Sequence, residues 1–393
     1  MEEKAPISVK RLIKYFVLNT YDRVLSILAH NNEVKKFKDP RRASIYQKVN
    51  LTSEQKQKID KIYIENYGRK VPYIWHRHFT AFTGKFDEKY IPELLYIPEF
   101  EAYMNLNNEY LNVFSDKNVL PYIAKNADVR MPETICSCTK GIYRDGKNAI
   151  IRRNELMYLI SKAGSVFVKP SLDSSSGNGC AIINIESGID RNSGKMLEDI
   201  IKDLGSDFVV QEKLTCHSSL ANIYPKSVNT FRIITYLWKN EIKAMPAILR
   251  IGSGGNYLDN AHAGGMFIAV DEDGTLHKTA FTEFKKEYDV HPDTQLRYEG
   301  YKIELFPKVL STAKRMHEFF PQIGVINWDF TINEEGNPVL IEMNTRGGSI
   351  WLAQMAHGKG VFGDDTVEVL KWMSMMKKKK RTERKKYSYG KTE

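Results

Sequence analysis

The stretch from Gly324 to Ser349 reads GVINWDFTINEEGNPVLIEMNTRGGS. Its first half closes a strand on Trp328-Asp329-Phe330, and Asn333 to Pro338 supplies the breakers of a turn. Val339 to Asn344 then runs back, which makes a β-hairpin with a loop longer than two residues. Side chains alternate along a strand, so Glu342 and Asn344 share one face while Ile341 and Met343 share the other. Asp329 lies on the partner strand at the height where it faces Glu342. Two carboxylates and an amide oxygen on one sheet face form a hard, all-oxygen donor set of the kind Mg²⁺ prefers. The competing reading is a hairpin with ordinary polar residues turned to solvent.

Working outward, 393 residues suffice for two or three domains with a substantial core. No apolar run approaches the roughly 20 residues that span a bilayer. The N-terminal MEEKAPISVKRLIKYF lacks the apolar core of a signal peptide, so a cytoplasmic location is expected. Cys136, Cys138, Cys180 and Cys216 show no C-x-x-C spacing. Neither zinc nor a disulfide framework is therefore expected, and reduced thiols are. The net charge of +10 is concentrated at one end: Lys377 to Glu393 holds nine Lys/Arg against two Glu, or +7, which leaves +3 for the rest. A nearly balanced body argues against nucleic acid as a partner. The apolar stretch Val367 to Met376 followed by this basic block suits a helix packed on the body, a disordered, solvated tail, a peripheral contact with the inner face of an anionic membrane or, least, a contact with nucleic acid.

Residues 7–37 carry apolar side chains at helical spacing, and Thr52 to Gln55 resembles a capping box that opens another helix. His76 and His78 sit in an aromatic run without a matching carboxylate, which favours a structural role. Helices are expected over 98–127, over Asn154 to Lys162 with Asn154 as N-cap, and over Leu305 to Phe320. Val166 to Pro170 is a strand that runs into a loop of glycines and hydroxyls, and Cys180 to Ile185 is the strand that leaves it. Gly177 and Gly179 allow close backbone approach, and Lys169 puts a positive charge at the root. Such a loop is either a flap whose N–H groups wrap phosphate or a plain surface loop. It is not a Walker loop, because no Gly-Lys-Ser/Thr opens a helix. Further strands are expected at Phe208 to Glu212, at Thr230 to Trp238 with Arg232, and at Ala244 to Ile251 with Arg250. A long glycine-rich loop, 252–265, follows.

The order VFVKP, SSSGNG, VVQEKL, NTFRI, WDF, IEMN over about 129–365 resembles the ATP-grasp superfamily. The segments NTFRIITYL and LRIGSGGNYLDNAHAGG are most similar to the sugar-transfer-associated ATP-grasp proteins of polysaccharide gene clusters. The resemblance implies an α+β fold with two lobes whose antiparallel sheets clasp ATP. A mostly helical region over 1–110 would precede the ATP-grasp domain at 111–365, and 366–393 would form a C-terminal helix and basic tail. By the same resemblance Lys169 and the loop carrying Ser174, Ser175, Ser176, Gly177 and Gly179 would hold the triphosphate. Glu212, Lys213 and Leu214 would meet adenine, and His217 the ribose. Asp329, Glu342 and Asn344 would hold Mg²⁺, while Arg232, Arg250, Arg346, Asn260 and His262 would serve the reacting phosphoryl group and the acceptor. The family's second ATP-contacting lysine has no motif here, with Lys140 and Lys147 as candidates, and Asn327 stands where many relatives carry an Arg. The implied activity is an ATP-dependent ligase that joins a small-molecule carboxylate to an amine, sugar-linked, through an acyl phosphate. A kinase-like phosphotransferase and a nucleotide-binding scaffold are the alternatives.

Overall fold

The computed structural model describes residues 9–106, 111, 113–114, 116–171, 179–257, 259 and 264–391. Two antiparallel sheets organise them. The first holds β1 (Thr134–Thr139), β2 (Ile142–Asp145), β3 (Ser165–Pro170), β4 (Ala181–Glu186), β5 (Ile189–Asp190) and β6 (Phe208–Glu212), in the order β2-β1-β6-β3-β4-β5. The second holds β7 (Thr230–Trp238), β8 (Glu241–Ala244), β9 (Ala247–Ile251), β10 (Met266–Val270), β11 (Ala280–Phe281), β12 (Glu287–Tyr288), β13 (Val325–Ile332) and β14 (Pro338–Asn344). Its order is β12-β11-β10-β9-β7-β13-β14, and β8 pairs with the far end of β7. The strand expected over Ala244 to Ile251 is thus two strands. Pro246 has no N–H to give to a ladder, so the chain steps out between β8 and β9. Bridges from Arg130 to Val339 and from Cys216 to Asn333 join the lobes where β6 ends beside the β13–β14 hairpin.

The first lobe has its own core, built from Val166, Val168, Val210 and Phe208 against Leu156 and Ile160 of the helix Arg153–Ala163. That helix begins one residue before the expected cap. The Glu155 carboxylate accepts the Arg152 N–H and closes its first turn, so Asn154 is already helical. In the second lobe the helix Phe306–Glu318 buries Phe306, Val309, Ala313 and Met316 on one sheet face, with Trp328 and Phe330. The opposite face carries Ile234, Tyr236, Ile248 and Val325, and the N-terminal helices cover it.

Those helices are α1 (Val9–Lys36), α2 (Pro40–Tyr46), α3 (Ser53–Tyr67) and α4 (Ile74–Thr83). The α3 start is the reciprocal cap expected from sequence: Gln55 N–H donates to Thr52 Oγ1 at 3.1 Å, and Thr52 N–H donates to Gln55 Oε1 at 2.9 Å. His76 and His78 lie on α4 within the aromatic core, where burial lowers them to about 4 and about 3. They are neutral core residues. The helix expected over 98–127 is broken. Glu93–Leu95 and Ala102–Met104 are α-helical, and Tyr96–Glu101 between them widens into a π-helical turn. Pro98 withdraws an N–H inside that turn, which accounts for the widening. Residues 111, 113 and 114 are helical again, and a turn at Asp116 to Val119 separates them from the helix Leu120–Asn126.

The basic C-terminal segment is folded on the body. The helix Thr366–Lys378 packs on α3, and a short helix Arg381–Arg384 follows. Trp372 Nε1–H donates to Tyr387 O at 2.8 Å, Lys239 N–H donates to Tyr389 O at 2.8 Å, and Gly390 lies flat on the Trp238 indole. The expectation of a disordered tail is corrected by these aromatic anchors, which the charge count hid. None of the four cysteines is in a disulfide, and among the described residues no helix is long and apolar enough to cross a membrane.

Candidate active site

On β13 and β14 Asp329 pairs directly with Glu342, and Asn327 with Asn344, so the expected face is real in register. β7 lies on the other side of β13 and sets Arg232 opposite Asp329. Arg232 grips Asp329 through both carboxylate oxygens, Nε–Oδ1 at 2.5 Å and Nη2–Oδ2 at 3.1 Å. Arg250, one strand further on β9, adds Nη2–Oδ2 at 3.0 Å and takes Thr230 Oγ1 as a second acceptor at 2.7 Å. Burial would raise the Asp329 carboxyl, but the two guanidinium groups outweigh it and hold it below its ordinary range. Asp259 braces the same cluster through the Thr230 N–H at 3.1 Å and through Arg250 at 3.6 Å. Two of the three arginines singled out in sequence, Arg232 and Arg250, are therefore at Asp329, and their grip on it is new.

A residue that sequence reading missed completes the cluster. Lys117 Nζ lies 3.3 Å from Glu342 Oε1, with its side chain 9% exposed. It stands on the turn that interrupts the expected helix. Asp116 Oδ1 accepts the Asn118 N–H at 2.9 Å, an Asx turn whose Asp-Lys-Asn signature was legible. Lys117 N–H also donates to Ser171 O at 3.3 Å, which ties the turn to the root of the glycine loop. Lys169 is buried on β3. Desolvation lowers it to about 8, with Glu342 pulling it up and Lys117 pushing it down. Lys140 and Lys147, the candidates from sequence, are on the far edge of the first lobe around the β1–β2 hairpin.

Four cations, Lys117, Lys169, Arg232 and Arg250, thus share one junction with Asp329, Glu342 and Asp259. The surplus positive charge suits a polyanion. The oxygen set also fits a hard divalent ion. A carboxylate has about four lone-pair sites, and three of those on Asp329 are taken by arginine. One site on Asp329, the half-buried Glu342 and the half-buried Asn344 remain to it.

Glu212 ends β6, and its carboxylate accepts the Glu133 N–H at 2.9 Å. Lys213 is exposed and Leu214 half-buried in the loop beyond, and His217 caps a short helix by accepting the Ser219 N–H at 3.2 Å. Gly179 has φ +73° and leans on the Pro170 ring. Ser174, Ser175, Ser176, Gly177, Asn260 and His262 lie outside the described residues. The two loops to which they belong do meet at their roots, where Tyr257 OH donates to Cys180 O at 3.3 Å.

Immediately after Asn344 the chain turns through Thr345 to Ile350, and the N-terminal region holds that turn. Glu101 accepts the Gly347 N–H at 2.7 Å and the Gly348 N–H at 2.9 Å. Glu93 accepts the Ile350 N–H at 3.2 Å, and Asn105 Nδ2–H donates to Thr345 O at 2.9 Å. Gly348 lies so close to Asn327 that a Cβ would enter its amide. Arg346 is exposed on the turn, next to the Gly347 N–H that Glu101 holds, and its charge acts on the Glu101 carboxylate. Nothing in sequence marked Glu93, which precedes the expected helix over 98–127, or Glu101, which falls inside it.

A family model described as sugar-transfer associated ATP-grasp matches residues 98–369. No curated protein matches the chain. Solved structures similar to it include an L-amino acid ligase from Bacillus licheniformis (14% identity, 65% of this chain and 48% of that one, TM-score 0.37). A D-alanine–D-alanine ligase from Bacillus anthracis matches at 16% identity over 70% of this chain and 69% of that one, TM-score 0.37. An N5-carboxyaminoimidazole synthetase from Staphylococcus aureus complexed with ADP matches at 13% identity over 60% and 46%, TM-score 0.37. The chain spans only 45% and 48% of the length of two such structures, a carboxyaminoimidazole ribonucleotide synthetase and the L-amino acid ligase.

Proposed function

This chain belongs to the sugar-transfer associated ATP-grasp family, and on that premise we propose that it is an ATP-dependent ligase joining a carboxylate to an amine in the making of a sugar conjugate. The observation that carries the reading is the four-cation junction around Asp329 and Glu342, to which Lys169 of β3 in the first lobe and the β13–β14 hairpin of the second both contribute. In this reading Lys117 and Lys169 bind phosphate oxygens, and Arg232 and Arg250 fix the Asp329 carboxylate in one orientation. Asp329, Glu342 and Asn344 would hold Mg²⁺, which when bound neutralises charge on the phosphates. A substrate carboxylate oxygen attacks the γ-phosphorus as the bond to ADP breaks. The amine then attacks the acyl carbon, loses a proton and displaces phosphate. The 252–265 loop and the Thr345 to Ile350 turn bound the acceptor side, and the flap keeps water from the acyl phosphate.

The test is ATP turnover against pooled carboxylates and amines, with mass spectrometry of the product. A condensed product with release of ADP and phosphate is expected, and hydroxylamine should trap the acyl group as a hydroxamate when amine is withheld. A stable phosphorylated acceptor formed without amine would instead assign a phosphotransferase.

The location we propose is cytoplasmic, peripheral at a membrane surface. Val17, Val24, Leu25, Ile27 and Leu28 of α1 are exposed, and α1 runs beside the basic helix Arg381–Arg384. Lys378, Lys380, Lys385 and Lys386 are exposed on the same segment. Each such charge near an anionic bilayer contributes about 1 kcal/mol. Lys385→Gln with Lys386→Gln should weaken sedimentation with anionic vesicles at low salt by about tenfold or more and leave folding intact. Equal binding by variant and wild type would remove the membrane from this account.

A further inference from the structure

Among the described residues, one group of side chains outside the junction brings three metal-ligating atoms together. Asp271, His277 and His357 each place a donor atom within 4.8 Å of the other two. Two come from the turn after β10 and the third from a helix some 80 residues on. Asp271 follows β10 and opens the turn closed by Gly274 N–H to Asp271 O at 2.9 Å. His277 leaves that turn and is pinned by its N–H to Ala269 O at 3.0 Å. His357 is the last residue of the helix Trp351–His357, capped by Gly358 in the left-handed region at φ +67°.

His357 supplies the observation that points to a ligand. Its ring is 4% exposed, and Nε2 lies 2.7 Å from Ala247 O. A carbonyl only accepts, so that nitrogen carries the proton and Nδ1 keeps its lone pair. Nδ1 is buried with no hydrogen-bond partner. A neutral imidazole whose far N–H is anchored on a backbone carbonyl is how proteins hold histidine for a metal. The His277 and His357 rings are 5.0 Å apart at 70°, and His277 Nε2 lies 3.1 Å from Asp271 Oδ1. Lys359 is the charge that opposes a cation here. Asp271 is exposed and His277 half-buried, so a metal reaches the site from solvent and keeps a position for water.

We propose that Asp271, His277 and His357 form a second metal site, distinct from the phosphate junction, for a borderline divalent ion of the Zn²⁺ type. Two imidazoles and one carboxylate with an open fourth position suit Zn²⁺, whereas Mg²⁺ favours oxygen alone. No cysteine takes part, and the three residues are too far apart in sequence to form a motif. The bound ion joins the end of β10 to the helix that follows the Thr345 to Ile350 turn. It fastens the helical cover of the sheet beside the acceptor side.

The experiment is titration of untagged, metal-free full-length protein with ZnCl₂ in buffer containing excess MgCl₂, read by calorimetry and by melting temperature, with Co²⁺ absorption as a reporter of coordination. One equivalent of Zn²⁺ should bind and raise the melting temperature, and Co²⁺ should give a visible band that Zn²⁺ removes. His277→Ala and Asp271→Asn should each weaken Zn²⁺ binding by about tenfold or more. Both positions reach solvent, so the metal-free variants should melt like metal-free wild type, which separates loss of a ligand from loss of fold. Substoichiometric binding to the wild type, or unchanged affinity in both variants, would overturn the site.

Discussion

Glu342→Gln is expected to reduce ATP turnover by about 100-fold or more while the protein melts close to wild type. The first half follows from charge. Glu342 is the acidic group opposite Asp329 that arginine does not grip, and an amide in its place offers a cation one neutral oxygen instead of a charged carboxylate. The second half follows from exposure. The Glu342 side chain is 31% exposed, so water screens the loss of its charge more than it does at the buried Asp329. Asp329→Asn should behave in the opposite way on stability. It removes the anion from between Arg232 and Arg250, and leaving buried charge uncompensated costs about 3–5 kcal/mol. Turnover and melting temperature measured on both variants separate a ligand from a structural anion. A Glu342→Gln protein that turns over ATP at the wild-type rate at limiting Mg²⁺ would remove Glu342 from the metal set.

The contrast between these two carboxylates also marks what the sequence carried and what it did not. The β13–β14 hairpin was legible because alternation of Trp328, Phe330 and Met343 against Asp329, Glu342 and Asn344 is a local property of two strands. So was the strand that bears Lys169, with breakers on both sides. The partners of Asp329 were not legible. Arg232 lies 97 residues away, and only the strand order β9-β7-β13 brings it and Arg250 to one carboxylate. Lys117 was lost for a different reason: apolar residues on both sides of a short turn imitate a continuous helix, and that period outweighed the turn signature. In the C-terminal segment net charge was read without its aromatics, although Trp372, Tyr387 and Tyr389 bind it to the body. Glu93 and Glu101 are the hardest case. A buried acid looks like a surface acid until its acceptors are matched to the backbone of a turn some 250 residues on.

Glu101→Gln should flatten two pH profiles at once. In the folded chain Glu101 is buried under the Gly347–Gly348 turn, and burial pushes its carboxyl up from the ordinary 4.5 to about 7, against the opposing pull of the two N–H donors and Arg346. Between those two values the folded protein keeps a proton that the unfolded chain has released. Stability therefore falls as pH rises from about 4.5 to about 7 and is level above, by on the order of 3 kcal/mol for this group alone. Turnover should move the other way. Only the ionised carboxylate accepts from both Gly347 and Gly348 with full strength, so the turn that follows Asn344 is set best above about pH 7. The price of that setting is a buried charge. Glu93, which accepts the Ile350 N–H of the same turn, is raised well above its ordinary range by burial first and by Glu33. Glutamine keeps the shape, removes the charge and turns a donor towards one of the two N–H groups. One buried donor then lacks an acceptor, which costs about 1–3 kcal/mol near neutral pH and is offset in part by the lost charge burial. The difference between wild-type and Glu101→Gln stability should change between pH 4.5 and 7 and nowhere else in the neutral range, and the acidic limb of kcat should vanish in the variant. Asn105→Ala, which loosens the same turn without a titrating group, should lower kcat at every pH and keep the limb. Superimposable pH profiles for wild type and Glu101→Gln would show that the clamp does not set the site.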